Sequence, residues 1–320
     1  EVPQLAMARV FNPGDWRSGY YRDQTFMIAS GMLTLEEFFA QLYGDTDPIF
    51  NPQTTGRIMN NHWATRLIDD EGNWKRLSEI KIAAADLSPT AGQMPRLVGL
   101  AQASKLYRQH PELTYQNQFS NGGNEVAFGT IGDAATSEGH FWETLNAAGV
   151  LQVPLAVSVW DDGFGISVPA LLQTTKQNIS ALLKGFKREQ IGGQGYEIFE
   201  VNGWDYAACR NTYEKAIELC RREHVPVLIH VKELTQPLGH STSGSHERYK
   251  SLERLEWEKE YDCIRQMKIW IIAQEFATTE EMEIIEKNAI NRVQSARLKK
   301  LERLLGIIIL MHYVKKETYL

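Results

Sequence analysis

Four short, mostly apolar runs alternate with helical patterns between residues 86 and 235, and this alternation constrains the fold more than any other feature of the chain. The runs cover residues 126–131, 154–159, 196–201 and 225–231. Each has the length of one strand, and apolar runs of this length are typical of strands buried on both faces. Between them, Phe141, Leu145 and Ala148 recur at helical spacing, and Asp205 begins a second helical pattern. The sequence therefore predicts an α/β fold with a doubly wound, mostly parallel sheet.

The segments on either side of this alternation differ from it. Residues 1–85 are polar and aromatic, and Thr34 with Glu37 forms the sequence pattern of a helix capping box. After residue 250 the chain continues as charged helical patterns, one of which begins with a second capping pattern at 278–281. We therefore divide the chain into a domain at 1–250, which includes an N-terminal extension, and a C-terminal helical segment at 251–320.

Composition and charge exclude several classes of function. The net charge is −6, so the chain lacks the basic surface that nucleic-acid binding requires, and no nucleic-acid partner is expected. The longest apolar run, residues 304–314, is too short to span a bilayer, so no membrane role is expected. Cys209, Cys220 and Cys263 fit neither a disulfide framework nor a zinc motif and are expected to be reduced, half-buried packing residues. With no signal peptide pattern at the start, a cytoplasmic location is expected.

Acidic residues follow two of the predicted strands. Gly132-Asp133-Ala134-Ala135 comes after the first run, and Trp160-Asp161-Asp162-Gly163-Phe164 comes after the second. Ligands of open α/β sheets bind at the carboxyl ends of the strands, and 29 positions separate Asp133 from Asp162, about one strand–helix–strand unit. If the two strands are neighbours, both carboxylates lie at the same edge of the sheet. They would suit Mg²⁺, which prefers carboxylate and phosphate oxygens. The alternative is an ordinary helix cap and an ordinary turn.

Five motifs, in order along the chain, carry a resemblance to a known family. They are Tyr21-Arg22-Asp23, Ser88-Pro89-Thr90-Ala91-Gly92-Gln93-Met94-Pro95, the pair of segments at 132–148 and 160–167, Val201-Asn202-Gly203-Trp204-Asp205, and Gly239-His240-Ser241-Thr242-Ser243. The third resembles the thiamine-diphosphate motif. Together they resemble the alpha subunit of the first, decarboxylating component of the 2-oxo acid dehydrogenase complexes, nearest the branched-chain type. The resemblance covers about residues 8–300 and ends before the atypical segment that starts near residue 304.

The resemblance implies thiamine diphosphate and Mg²⁺ as cofactors, both bound by the domain at 1–250. Asp133 and Asp162 would be side-chain ligands of the metal, and Phe164 would contribute its backbone carbonyl. The residues implied in cofactor binding are Tyr21, Arg22, Ser88, Thr90, Gly132, Asp133, Ala134, Ala135, Asp162, Phe164 and His240. His240 and His62 are the implied catalytic residues.

The same resemblance implies an activity and partners. The activity is oxidative decarboxylation of a branched-chain 2-oxo acid, with transfer of the acyl group to the lipoyl-bearing acyltransferase component. In this family a carboxylate of the beta half activates the cofactor, so a beta-type subunit or domain is expected to complete the active site. This chain alone would hold half of it.

Three features depart from the family pattern. Ala134 replaces a glycine, Trp160 stands where branched-chain members often place an arginine, and Asp161-Asp162 replaces an Asn-Asn pair. The additional negative charge beside a diphosphate is expected to weaken cofactor binding or to favour a different ion.

These departures favour one alternative, a non-catalytic assembly subunit. A thiamine-diphosphate enzyme of the transketolase kind is a second alternative, although the loop at His240 argues against it. A nicotinamide-binding domain is the weakest, because no Gly-x-Gly-x-x-Gly motif follows a predicted strand.

Overall fold

The computed structural model describes residues 1–241 and 245–317, with side chains described in 1–113, 117–241 and 245–306. Its strands are β1 Trp16–Ser18, β2 Ile82–Ala83, β3 Ala127–Gly132, β4 Leu155–Trp160, β5 Phe164–Gly165, β6 Val168–Pro169, β7 Glu197–Asn202 and β8 Val227–Lys232. Its α-helices are α1 Val2–Val10, α2 Gln24–Ala29, α3 Leu35–Leu42, α4 Gln93–Gln109, α5 Gly139–Leu151, α6 Ile179–Leu182, α7 Tyr206–Glu223, α8 Leu252–Glu260, α9 Cys263–Ala273 and α10 Thr279–Glu317. Short 3₁₀-helices lie at Leu77–Glu79, Pro111–Gln116, Ala134–Ser137, Ala170–Leu172, Thr175–Gln177, Leu183–Phe186 and Ser245–Arg248.

Six of the described strands form one parallel sheet in the order β2-β1-β3-β4-β8-β7. The remaining two, β5 and β6, pair as a small antiparallel hairpin. The α/β class and the parallel sheet predicted from the sequence are thereby confirmed. The strands β3 and β4 are neighbours, as the expected meeting of Asp133 and Asp162 requires.

The four predicted strands lie one or two residues nearer the carboxyl end than their apolar runs. At β3 the reason is a side chain, because the amide of Val126 donates to Asp15 Oδ1 at 2.8 Å. Strand pairing therefore begins at Ala127. At the other end of these strands Gly132 pairs with Trp160, so that acidic residues follow directly on both.

Two strands of the sheet, β1 and β2, come from residues 1–85, where the sequence analysis predicted none. They are 3 and 2 residues long, so even the apolar pair of β2 is too short to stand out in the sequence. The middle residue of β1, Arg17, is fully buried and paired with Asp23 and Asp86. A charged residue inside a short strand leaves no alternating pattern, so no sequence pattern predicts β1.

Helices cover both faces of the sheet, as a doubly wound fold requires. On one face α1, α2 and α7 pack through a cluster that includes Met7, Phe11, Phe26, Met27, Cys209, Tyr213 and Ile217. On the other face α4, α5 and α6 pack through Met94, Leu97, Ala101, Phe141, Leu145, Ala148 and Ile179. Successive strand residues belong to opposite clusters, for example Ala127 and Phe128, because strand side chains alternate between the two faces.

The helix starts predicted from capping patterns are confirmed. Thr34 and Glu37 form a reciprocal capping box at the start of α3. Thr278 and Glu281 do the same at the start of α10. Asp205 is the N-cap of α7, where its side chain accepts a backbone hydrogen bond.

The helices α8, α9 and α10 form the predicted C-terminal helical part, while the domain boundary at residue 250 stays a prediction. The helix α10 packs against α3, and Arg303 bonds to Asp45 and Asp47 beyond that helix. The apolar run at 304–314 falls within α10, but it extends beyond the described side chains, so its burial is untested. No helix among the described residues is long and apolar enough to cross a bilayer.

The three cysteines are free and more deeply buried than the sequence analysis expected. Cys209 and Cys220 belong to the core cluster under α7 and are 0% exposed. Burial raises the pKa of the Cys209 thiol to about 12, so it stays protonated and packs as a small apolar group.

Candidate active site

A cavity of about 590 Å³ lies at the carboxyl edge of the sheet, where the loops after β1, β2, β3, β4 and β8 meet. The site residues named in the sequence analysis all line it. They are Tyr21, Arg22, His62, Ser88, Thr90, Gly132, Asp133, Ala134, Ala135, Asp162, Phe164 and His240. Residues far apart along the chain therefore surround one space, whose size is typical of a cofactor site.

Asp133 and Asp162 meet at this edge because they follow neighbouring strands. Both are buried, at 7% and 8% exposed, although both line the cavity. The backbone amide of Asp133 donates to the carbonyl of Trp160 at 3.0 Å, which ties the ends of β3 and β4 together. The carboxylate pair expected from the 29-residue spacing is thus present at one rim of the sheet.

The surroundings of these carboxylates suit a divalent cation. The pKa of Asp133 is raised to about 8, first by burial and then by the negative charges of Asp161 and Asp162. Burial also raises the pKa of Asp162 to about 6. A divalent cation relieves such buried repulsion, so the donor chemistry fits Mg²⁺. The described residues contain no group of three or more His, Cys, Asp or Glu side chains placed for a metal, so further oxygens would have to come from backbone, phosphate or water.

The turn from Asp162 to Phe164 is held on several sides. Gly163 has a φ of +79°, a left-handed conformation that favours glycine, and the amide of Phe164 donates to Asp162 Oδ1 at 3.1 Å. Arg254 on α8 donates to the carbonyl of Asp162 at 2.8 Å. The cations of Arg254 and Lys250 also lie over the Phe164 ring, at 5.6 and 5.1 Å from its centre. The role of the Phe164 carbonyl as a metal ligand stays a prediction.

Arg22 and His240 come from distant parts of the sequence and meet at the cavity. Nη2 of Arg22 lies 3.1 Å from Nδ1 of His240 and donates to its carbonyl at 2.8 Å. Because a guanidinium can only donate, Nδ1 accepts, and the neutral ring carries its proton on Nε2. Burial, and then the charge of Arg22, lower the pKa of His240 below its ordinary value, so the ring is neutral at pH 7.

His62 is the second histidine of the cavity wall and is only 4% exposed. Its Nδ1 donates to the carbonyl of Asn60 at 3.0 Å, and Gln41 donates to the backbone carbonyl of His62 at 2.5 Å. With the proton on Nδ1, Nε2 is an acceptor whenever the ring is neutral. A catalytic role for His62 is a prediction that this geometry leaves untested.

The loop after β2 brings Ser88 and Thr90 to the cavity, and Asp86 fixes the base of that loop. Oδ2 of Asp86 accepts from Arg17 at 2.7 Å and from the amide of Trp63 at 3.0 Å. Asp86 therefore links the loop that carries Ser88 to Trp63, the residue that follows His62 in the sequence.

Buried Arg17 is a functional support that the sequence analysis missed. Besides Asp86, it binds Asp23, with Nη2 at 2.7 Å from Oδ2. Asp23 immediately follows Arg22 and also accepts from Thr130 Oγ1 at 2.6 Å. One cation thus joins the strands and loops behind three parts of the cavity wall. The only sign in the sequence was the aspartate directly after Tyr21-Arg22.

A family model described as "Dehydrogenase E1 component" matches residues 1–302. The chain belongs to this family. The subunits that the sequence resembled are E1 components, so the family expectation is confirmed.

Several E1 alpha subunits are similar to this chain at low identity. The chain is 27% identical over 273 residues to "2-oxoisovalerate dehydrogenase subunit alpha 2, mitochondrial" of Arabidopsis thaliana, covering 85% of this chain and 49% of the relative. It is 26% identical to the human "2-oxoisovalerate dehydrogenase subunit alpha, mitochondrial", with 92% and 58% covered. It is also 26% identical to "Pyruvate dehydrogenase E1 component subunit alpha" of Acholeplasma laidlawii, with 94% and 73% covered. The chain spans about half the length of the Arabidopsis relatives.

Two departures from the E1 pattern have a structural context. Asp161 is not among the described residues that line the cavity, and its carboxylate bonds to His230 at 2.7 Å. Its charge still reaches the site, since it raises the pKa of Asp133. Trp160 lines the cavity, but its indole Nε1 is buried without a hydrogen-bond partner among the described residues.

The active-site loop of the E1 resemblance is described only in part. Gly239 and His240 line the cavity. Thr242 and Ser243 lie outside the described residues, so the expectations for that half of the loop are untested.

Proposed function

We propose that this chain is the alpha-type part of an E1 component that uses thiamine diphosphate and Mg²⁺. With a beta-type partner it would decarboxylate a branched-chain 2-oxo acid oxidatively and pass the acyl group to a lipoyl-bearing acyltransferase. The names of the Arabidopsis and human relatives support the branched-chain substrate, and the Acholeplasma name keeps pyruvate as the competing one.

One observation carries this proposal. The twelve residues named from separated sequence motifs line a single cavity at the carboxyl edge of a parallel sheet. Ligands of such sheets bind at this edge. Motif matches that arose by chance would have no reason to converge on one space.

Asp133 and Asp162 would hold the Mg²⁺, with the Phe164 carbonyl as a further oxygen. Nη2 of Arg22 is used by His240, but Nη1 and Nε keep three N–H groups for a diphosphate, beside Tyr21. When bound, thiamine diphosphate supplies a thiazolium ring that accepts the electron pair left as carbon dioxide departs.

Small residues border the carboxylates. Gly132, Ala134 and Ala135 line the cavity with at most a methyl group each, so a diphosphate can approach their backbone amides. Ser88 and Thr90, on the opposite loop, would contact the aminopyrimidine.

His240 would act on the substrate through Nε2. Arg22 holds the other ring nitrogen as an acceptor, so the Nε2 proton is available to donate to an oxygen that gains negative charge. A lowered pKa keeps the ring neutral, which prevents repulsion between His240 and the guanidinium.

A reconstitution experiment tests the proposal. The chain is co-expressed with a beta-type E1 chain, and carbon dioxide release from 3-methyl-2-oxobutanoate and from pyruvate is measured with both cofactors present. We expect release that depends on both cofactors, with the branched-chain acid preferred. Asp133→Ala should abolish it, because the mutation removes a metal ligand.

Asp70→Ala is the matched control, since Asp70 is a surface carboxylate with its side chain 86% exposed. This variant should keep the wild-type rate. Full activity of Asp133→Ala would show that the metal assignment is wrong. Release from pyruvate alone would reassign the substrate.

Measurements on the same preparation distinguish two competing functions. No detectable calorimetric binding of cofactor by the assembled pair would favour a non-catalytic assembly subunit. Turnover of sugar phosphates would favour the transketolase kind. The cytoplasmic location expected from the sequence stays a prediction, and the plant and human relatives are named as mitochondrial.

A further inference from the structure

Ser180, His230 and Asp161 form a hydrogen-bonded chain through the interior beside the cavity. Ser180 Oγ lies 2.7 Å from Nδ1 of His230, and Nε2 of His230 lies 2.7 Å from Oδ2 of Asp161. Ser180 and His230 are buried, and the Asp161 side chain is 17% exposed. Because an ionised carboxylate can only accept, Nε2 carries a proton and donates to Asp161. The chain connects α6, β8 and the end of β4.

The same three residue types carry out nucleophilic hydrolysis in many enzymes, but this arrangement does not suit that chemistry. Ser180 is 2% exposed and is not among the described residues that line the cavity. A substrate carbonyl cannot approach a hydroxyl that is enclosed in this way. The three residues therefore serve to hold neighbouring parts of the structure in place.

Asp161 uses its second carboxylate oxygen to hold the neighbouring turn. Oδ1 accepts from the amide of Gly163 at 2.8 Å. Gly163 lies between Asp162 and Phe164, the two residues of this turn proposed for Mg²⁺. The backbone amide of Asp161 donates to Val231 on β8 at 2.9 Å. One residue thus fastens the turn both to a strand and to a buried histidine.

We propose that His230, supported by Ser180, positions the metal-binding turn through Asp161 and thereby sets its affinity for a divalent cation. The inference rests on the proposed function, since it concerns the same cavity. The usual asparagine of the family would give His230 an uncharged acceptor, whereas Asp161 gives it a charge-assisted hydrogen bond. His230 and Asp161 are therefore positioning residues, and Asp161 is more than an additional charge beside the diphosphate.

The test uses the full chain with its beta-type partner and two measurements. The first is amide hydrogen exchange of residues 161–166 without ligand. The second is calorimetric titration with Mg²⁺ at saturating thiamine diphosphate. The variants are Ser180→Ala, His230→Leu, which has no hydrogen-bond donor, and the double variant D161N/H230Q. His224→Asn is the matched control, because His224 is another buried histidine, whose Nε2 donates to the carbonyl of Gly123.

We expect His230→Leu to speed exchange in residues 161–166 and to weaken Mg²⁺ binding about tenfold, the lower end of the effect of residues that support metal ligands. Ser180→Ala should act in the same direction and less strongly. D161N/H230Q should keep much of what His230→Leu loses, because a pair of amides can form the hydrogen bond again. The control His224→Asn should change neither measurement.

Wild-type exchange and wild-type Mg²⁺ affinity in both His230→Leu and Ser180→Ala would overturn the inference. Failure of D161N/H230Q to recover either measurement would overturn it too, because the loss would then be a general effect of altering the core. If His230→Leu does not fold, Ser180→Ala decides. If the wild-type pair binds neither cofactor, the proposed function fails instead, and the exchange measurement alone decides whether His230 positions the turn.

Discussion

Arg17 holds two carboxylates inside the sheet, and its replacement by methionine would leave both without their shared cation. Methionine keeps much of the length and volume of the side chain but provides no donor. We expect Arg17→Met to lower the free energy of unfolding by about 3–5 kcal/mol, the cost of removing one partner from a buried ion pair.

The contacts of Arg17 set this magnitude. Nε and Nη2 donate to Asp23 at 3.2 and 2.7 Å, and Nη1 donates to Asp86 at 2.7 Å, with all three side chains 0% exposed. The loss of unfolding free energy does not double although Arg17 has two partners, because each carboxylate keeps another hydrogen-bond donor. Asp23 keeps the hydroxyl of Thr130, and Asp86 keeps the amide of Trp63.

Urea unfolding measures the effect, followed by tryptophan fluorescence and far-UV circular dichroism. Arg66→Met is the matched control, since the Arg66–Asp70 pair is exposed and such pairs add little stability. The variant R17M/D23N/D86N should recover much of the loss, because no buried charge remains.

The pH dependence has a defined sign. Burial raises the pKa of Asp23 and the charge of Arg17 opposes that rise, so without Arg17 the folded-state pKa of Asp23 lies further above its unfolded value, and the folded variant takes up a proton first as the pH falls. The deficit of Arg17→Met relative to wild type should therefore shrink on acidification. A loss no larger than that of Arg66→Met, or a deficit that grows in acid, would refute the reasoning.

Three further predictions concern pH and backbone geometry. Burial lowers the pKa of His224 from 6.5 to about 4, so its contribution to stability is complete above pH 6.5 and is lost as the pH falls toward 4. In His224→Asn the free energy of unfolding should therefore depend less steeply on pH between 6.5 and 4, and an unchanged slope would contradict this. Gly163→Ala should cost about 1–2 kcal/mol in urea unfolding because of its positive φ, whereas Gly139→Ala, where a Cβ meets open space, should be neutral or stabilising. Arg22→Gln should raise the pKa of His240 toward its ordinary value, measured by NMR titration with His240→Gln for assignment; an unmoved pKa would show that the contact has no electrostatic effect.

The sheet could be predicted from the sequence where burial left a pattern. The strands β3, β4, β7 and β8 could be predicted because mostly apolar runs cover them, and the helices between them could be predicted from spacing and caps. β1 and β2 were missed because they are very short and one contains a buried arginine. Such a strand is stabilised by ion pairs with residues distant in the sequence, which no local pattern encodes.

The candidate site could likewise be predicted from the sequence only in part. Asp133 and Asp162 could be placed from their spacing, and the motif residues converge on one cavity. The supports behind them could not be placed, because His230 and Arg17 act through contacts across the sheet. From the sequence, Asp161 was only an unfavourable charge. Asp161 can pair with the buried His230 only because β4 and β8 are adjacent in the sheet, and this adjacency cannot be predicted from a local sequence pattern.

The walls of the cavity come from segments that lie far apart in the sequence, because the sheet is parallel. Trp16 pairs with Ala127, and the cavity wall needs both Arg22 and His240. Pairings of such long separation form late in folding, because closing the intervening chain costs entropy before any contact offsets it. We therefore expect the cavity to form only as folding nears completion. A ligand that fills it stabilises the finished fold by mass action, and its binding reports that the chain from β1 to the His240 loop has been assembled.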